Sequence, residues 1–149
     1  MCLTQGSVDA ISKQAIAKYP CECCGIVTGN ESSQRVHPCR NRQDELHAKD
    51  PETYPRTGRE AYDIDRNEME QIFAAAAAKG EHVVCFYHSH IDCGAYLSQM
   101  DKDVLTVLGE PEFPEAMHVV ISVQERQIMD IIGYQWDGEK KDFIIVPVT

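Results

Sequence analysis

The chain has 149 residues, 43% apolar and 26% charged, with 14 Lys plus Arg against 24 Asp plus Glu and a formal net charge of −10. That size and composition fit one globular domain, read as residues 1–149, and exclude a disordered tail. The acidic balance argues against nucleic acid and anionic membranes as partners, since neither is drawn to a negative field. No apolar run approaches the ~18 residues of a membrane span, and Met1 to Gly6 lack a signal-peptide pattern, so the expected location is cytoplasmic. Seven cysteines, an odd number at low density, read as reduced thiols rather than a disulfide framework.

Val8, Ile11, Ala15, Ile16 and Tyr19 recur at helical spacing between Ser7, a potential N-cap, and Pro20, a stop, which predicts a helix over 8–19. Cys24 to Thr28 reads as a strand closed by Gly29-Asn30, with Gln34 to Pro38 as its antiparallel return. From Asn41 to Ala61 no period holds, and a loop of that length inside a compact domain is a natural place for partner contact. The next helix has Asp65 as N-cap, Glu68 three residues on, Ile64 and Met69 as a hydrophobic staple, and Gly80 at its end. His82 to Tyr87 is apolar on both faces, the mark of a strand in the middle of a sheet. A further helix is expected from Ser98 to Gly109 with Val104, Leu105 and Leu108 inward. Strands then follow over Met117–Val123, Gln127–Trp136 and Lys141–Val148, the last two joined at Asp137-Gly138. The order implies an α/β fold with a mixed sheet packed by helices.

Tyr87-His88-Ser89-His90 falls where the central strand ends. Residues two apart on a strand share a face, so both imidazoles point to one place. Such a pair can bind zinc if a third protein ligand joins it. Asp101, at the start of the following helix, is the best placed carboxylate, with Asp92 and Asp103 as weaker competitors.

The pattern His-x-His-x7-Ser-x2-Asp, together with Glu22-Cys23-Cys24-Gly25-Ile26-Val27, resembles the two motifs of the JAMM (MPN-plus) zinc metalloproteases, which remove ubiquitin-like modifiers. The resemblance implies a mixed, curved sheet flanked by helices, similar in layout to the cytidine-deaminase-like fold. It also implies one zinc held by His88, His90 and Asp101, with Glu22 as general base and Ser98 as stabiliser of the oxyanion. The implied activity is hydrolysis of a peptide or isopeptide bond, after the C-terminal glycine of a ubiquitin-like or sulfur-carrier protein as in the prokaryotic single-domain members. Ile91 and Gly94 stand where the family commonly has proline, a departure expected to loosen the loop.

Other readings compete. Ser98 to Asp101 is also a helix capping box, and an MPN-like scaffold without activity is the rival function. Cys21, Cys23 and Cys24 read as small buried apolar residues, whereas Cys93 is expected beside the metal, where a thiolate could compete for zinc or be oxidised. His37, His47, His82 and His118 read as ordinary polar or core-edge residues, and Tyr54, Pro55 and Arg56 as substrate-loop residues. A nucleoside-type zinc deaminase would need His-x-Glu as well as Pro-Cys-x-x-Cys, and His88-x-His90 does not supply the first.

Overall fold

Thr4, not Ser7, opens the first helix: its hydroxyl accepts from Ser7 N at 3.2 Å, and α1 runs over Gln5–Lys18 in the computed structural model, which describes residues 1–149. Ser7 is buried inside that helix, while Ile16, expected to face inward, is exposed. Two antiparallel strands follow, β1 (Cys24–Gly29) and β2 (Gln34–Cys39). Their turn is held by Asn30 Oδ1, which accepts from Ser32 N and Ser33 N.

The segment that showed no period contains a short helix, α2 (Gln43–Lys49). The third helix, α3 (Arg66–Ala78), has Asp65 at its N-cap position without a side-chain capping bond, because that carboxylate faces Arg42 Nη1 at 3.4 Å instead. Ile64 and Met69 both pack against the cluster that contains Ile26 and Phe86.

β3 (His82–Ile91) is buried from Val84 onward, and after the short strands β4 (Thr106–Val107) and β5 (Glu110–Pro111) come β6 (Met117–Gln124), β7 (Gln127–Asp137) and β8 (Asp142–Val146), which complete a six-stranded sheet of order β2-β1-β3-β6-β7-β8. Only β3 and β6 run parallel. The strand continues four residues beyond Tyr87, so both histidines belong to it.

The fourth helix, α4 (Gln99–Leu105), stops short of the expected Gly109. Thr106 and Val107 are β-branched, which favours a strand, and they form β4 (Thr106–Val107). This pairs with β5 (Glu110–Pro111) around a turn at Leu108 (φ 53°) and Gly109 (φ 81°). Val104 and Leu108 are therefore exposed, and of the three residues expected inward only Leu105 packs against a core cluster. The β7–β8 connection is also longer than the Asp137-Gly138 signal implied: Asp137 Oδ1 caps Glu139 N and Lys140 N before β8 begins at Asp142.

Alternation along β3 sorts the two faces. Cys85 and Tyr87 join Ile11, Ala15, Val119 and Ile121 on the α1 side, while Phe86 packs against α3 through Ile72 and Phe73. His88 and His90 share the face of Phe86. A Cβ at Gly25 would collide with the Tyr87 phenol, whose hydroxyl donates to Gln14 Oε1. The glycine of the Glu-Cys-Cys-Gly run is thus required by close packing between β1 and β3. No helix is long and apolar enough to cross a membrane.

Candidate metal centre and active site

The end of β3 carries His88 and His90 side by side, with their Nε2 atoms 3.2 Å apart and both residues buried. Asp101 reaches them from the first turn of α4, its Oδ2 lying 3.4 Å from His88 Nε2 and 3.2 Å from His90 Nε2. Ser98 places this carboxylate through a reciprocal capping box: Ser98 Oγ accepts from Asp101 N, and Asp101 Oδ2 accepts from Ser98 N, both at 3.0 Å. The helix cap and the convergence of side chains are therefore one arrangement rather than rival readings.

Gly94 O lies 2.9 Å from His90 Nδ1 and can only accept, so Nδ1 donates to it and Nε2 is the ring nitrogen turned toward Asp101. Burial pushes His88 down, which keeps its ring neutral. Burial alone would raise the Asp101 carboxyl, but the adjacent His88 and His90 rings and the Ser98 N–H outweigh it and hold the group below the ordinary carboxylate range. Neutral imidazoles and an ionised carboxylate are the forms a metal requires. A tetrahedral ion with bonds of about 2.0–2.1 Å separates its ligands by about 3.3–3.4 Å. The observed separations of 3.2 to 3.4 Å fit a zinc site made of these three residues.

Glu22 stands beside this group because of strand register. Cys24 pairs with His88, while Cys23 N donates to Ser89 Oγ at 2.7 Å and Ser89 N donates to Cys23 O at 3.0 Å. Glu22 is buried, and burial pushes its carboxyl up to about 9, with Asp101 adding to the rise and Arg56 opposing it. Its backbone is held by the irregular segment: Glu22 N donates to Gly58 O at 2.7 Å, and Asn41 Nδ2 donates to Glu22 O at 3.1 Å.

Two aromatic rings flank the histidines, and sequence reading found neither. Tyr62 stacks on His88 with centroids 4.4 Å apart at 24°, and Tyr96 meets His90 edge-on at 5.0 Å. An apolar groove of about 520 Å³ leads away from Asp101 between the 54–64 segment and α4. Tyr54 and Arg56 stand on its wall, their carbonyls fixed by His47 Nδ1 (2.7 Å) and Gln43 Nε2 (2.9 Å).

The competing ligands are engaged elsewhere. Asp92 accepts from Tyr19, Arg59 and Glu125 N, and Asp103 accepts from Gln99. Cys93 is not part of the convergent group, and its sulfur lies 3.9 Å from the Tyr96 hydroxyl. Pro20 to Cys24 does contain a Pro-Cys-x-x-Cys spacing, yet these thiols also lie outside the group. Cys23 and Cys24 are buried as expected, and Cys21 is half-buried.

The model of the family described as prokaryotic homologues of the JAB domain matches residues 4–132, and the chain belongs to that family. It is 26% identical over 124 residues to the desampylase of Haloferax volcanii, covering 81% of this chain and 73% of that protein. It is 27% identical over 128 residues to the CysO-cysteine peptidase of Mycobacterium tuberculosis, covering 86% and 77%. A third relative, the tail tip assembly protein K of Escherichia phage N15, is 34% identical over 100 residues, 67% of this chain but 34% of that protein, so the chain spans about a third of its length. Among solved structures, protein DSY2949 from Desulfitobacterium hafniense matches with a TM-score of 0.69 at 17% identity over 97% of this chain and 88% of that one, a likeness of fold.

Proposed function

We propose that this chain is a zinc-dependent hydrolase that cleaves the peptide or isopeptide bond after the C-terminal glycine of a ubiquitin-like or sulfur-carrier protein. The observation that carries the reading is the convergence of His88 Nε2, His90 Nε2 and Asp101 Oδ2 within 3.4 Å beside the buried Glu22. Family membership, with a desampylase and a CysO-cysteine peptidase among the relatives, supports hydrolysis and the kind of substrate.

The chemistry the ion supplies when bound is Lewis acidity toward water and toward a carbonyl oxygen. Glu22 takes the proton of the attacking water and returns it to the leaving amine, the role open to a buried carboxylate beside the ion. Ser98 Oγ already accepts from Asp101 N, which leaves its own proton free to donate to the charge that develops on the scissile carbonyl oxygen. Gly94 O and the Tyr62 ring orient the two imidazoles. The groove receives the extended tail, with Tyr54 and Arg56 as contact residues on its wall.

The test is zinc content on wild type and His88→Ala, purified without a metal resin, followed by cleavage of ubiquitin-like fusions. About one zinc per wild-type chain, lost in the variant, with zinc-dependent cleavage, is the expected result. The match to a tail tip assembly protein favours a second reading, a domain that serves an assembly without cleaving. Zinc-loaded protein that hydrolyses no such fusion would select it.

A further inference from the structure

Asn41 lies between β2 and α2, half-buried, and its side chain uses every hydrogen-bonding position an amide has. Nδ2 donates to Glu22 O and to Ala61 O, both at 3.1 Å. Oδ1 accepts from Gln43 N at 3.0 Å and from Asp63 N at 3.1 Å. Two carbonyls on one side and two N–H groups on the other leave a single possible orientation.

The four partners matter more than their number. Glu22 is the proposed base. Ala61 and Asp63 bracket Tyr62, the ring stacked on His88. Gln43 begins α2 and holds Arg56 O on the groove wall. One side chain thus ties the base, the aromatic backing of a proposed metal ligand and the substrate loop to a common point, although Asn41 touches no reacting atom. The Glu22 peptide is fixed on its N–H by Gly58 and on its C=O by Asn41, and the next residue is locked to β3 through Ser89.

We infer that Asn41 is a positioning residue of the hydrolytic reaction: it sets the Glu22 carboxylate against the His88-His90-Asp101 group through its bonds to the Glu22 and Ala61 carbonyls. The inference rests on the reading of Glu22 as base. An error of about 1 Å in such a placement costs on the order of 10²-fold in rate.

Asn41→Asp is the discriminating change, because it keeps the shape and both acceptor positions and removes the two donors. The matched control is Gln34, an equally saturated amide near the other end of the β1–β2 hairpin. Gln34 Oε1 accepts from Thr4 N and Ser7 Oγ, and Nε2 donates to Cys2 O and Asn30 O. The probe is a ubiquitin-like protein ending Gly-Gly with a fluorescent amine as leaving group, tested on zinc-loaded enzyme. Asn41→Asp is expected to lower kcat about 10²-fold with KM and zinc content unchanged, while Gln34→Glu lowers thermal stability and leaves kcat alone.

Amide hydrogen exchange supplies a readout that needs no substrate. Residues 21–23 and 61–63 should exchange at least about tenfold faster in Asn41→Asp and not in Gln34→Glu. In a Glu22→Gln background, Asn41→Asp should have little further effect on kcat, as expected when one residue acts through the other. Wild-type kcat and unchanged exchange in Asn41→Asp, with Glu22→Gln inactive, would overturn the inference and leave the base intact. An active Glu22→Gln would instead remove the base reading itself.

Discussion

The candidate site has two halves built in different ways. His88, His90 and Asp101 come from the buried end of a central strand and the capped start of a helix, where sheet pairing on both sides and a reciprocal cap fix each atom. Tyr62, Tyr54 and Arg56 are placed from the other side by a segment with one short helix, and Glu22, just before β1, is tied to that segment by its N–H to Gly58 O and by Asn41 Nδ2 on its carbonyl. The first half is positioned by regular structure and the second by irregular chain. The difference implies that the metal group persists when the loop is perturbed, whereas catalysis does not.

The largest effect is expected from His88→Ala or His90→Ala, which remove a convergent nitrogen: zinc falls from about one per chain to a trace, and cleavage falls with it. Retention of full zinc by both variants would show that the ion binds elsewhere. Glu22→Gln should break the halves apart, keeping zinc while kcat drops by about 10²- to 10⁴-fold. Elemental analysis and single-turnover cleavage on the same sample check it. Loss of zinc in Glu22→Gln would mean that the carboxylate is a ligand rather than a base.

Legibility in the sequence follows the same division. His-x-His on a strand and Ser-x-x-Asp at a helix start are local patterns whose geometry comes from their own element, so both could be read directly. Glu22 was readable only through the resemblance of Glu22-Cys23-Cys24-Gly25 to a family motif. Asn41 and Tyr62 were not readable, because their roles depend on contacts 19 and 20 residues away for Asn41 and on a ring stacked across to β3 for Tyr62. The same limit explains α4: its apolar spacing suited a longer helix, but Thr106 and Val107 turned into a hairpin that leaves Leu108 in solvent.

Ser98 belongs to both of its readings, and Ser98→Ala separates them. Loss of the cap should cost about 1 kcal/mol, or about 2 to 4 °C in Tm for a domain this size. Loss of the hydroxyl donor should lower kcat by about 10²-fold. Ser98→Asn restores a capping oxygen, so recovery of Tm without recovery of kcat would assign the hydroxyl to chemistry. Recovery of both would reduce Ser98 to a cap.

The sheet side should also show its dryness in a pH profile. Burial pushes His118, between the rings of Phe86 and Phe143, down to about 4. An unfolded histidine titrates near 6.5, so between those values the unfolded state binds more protons and stability falls as pH falls. His118 should contribute about 2 kcal/mol to the difference between pH 7 and pH 5. His118→Phe keeps a ring in the stack and should flatten that part of the profile in urea titrations. An unchanged slope would exclude His118 as its source.

Tyr62 is where the loop-built half touches the strand-built half, and it gives the smallest and sharpest test. Its ring backs His88 at 4.4 Å, yet it arrives from the segment that Asn41 organises. Tyr62→Leu keeps an apolar side chain against the cluster of Cys24, Ile26 and Phe86 while removing the flat face. Supporting groups behind a metal ligand typically account for 10- to 100-fold in affinity, mostly through hydrogen bonds. A stacked ring should fall at the low end, about tenfold in zinc Kd by competition with a chelator. If affinity holds while kcat drops, the ring serves the loop and the base rather than the histidine, and the boundary between the halves lies between Tyr62 and His88.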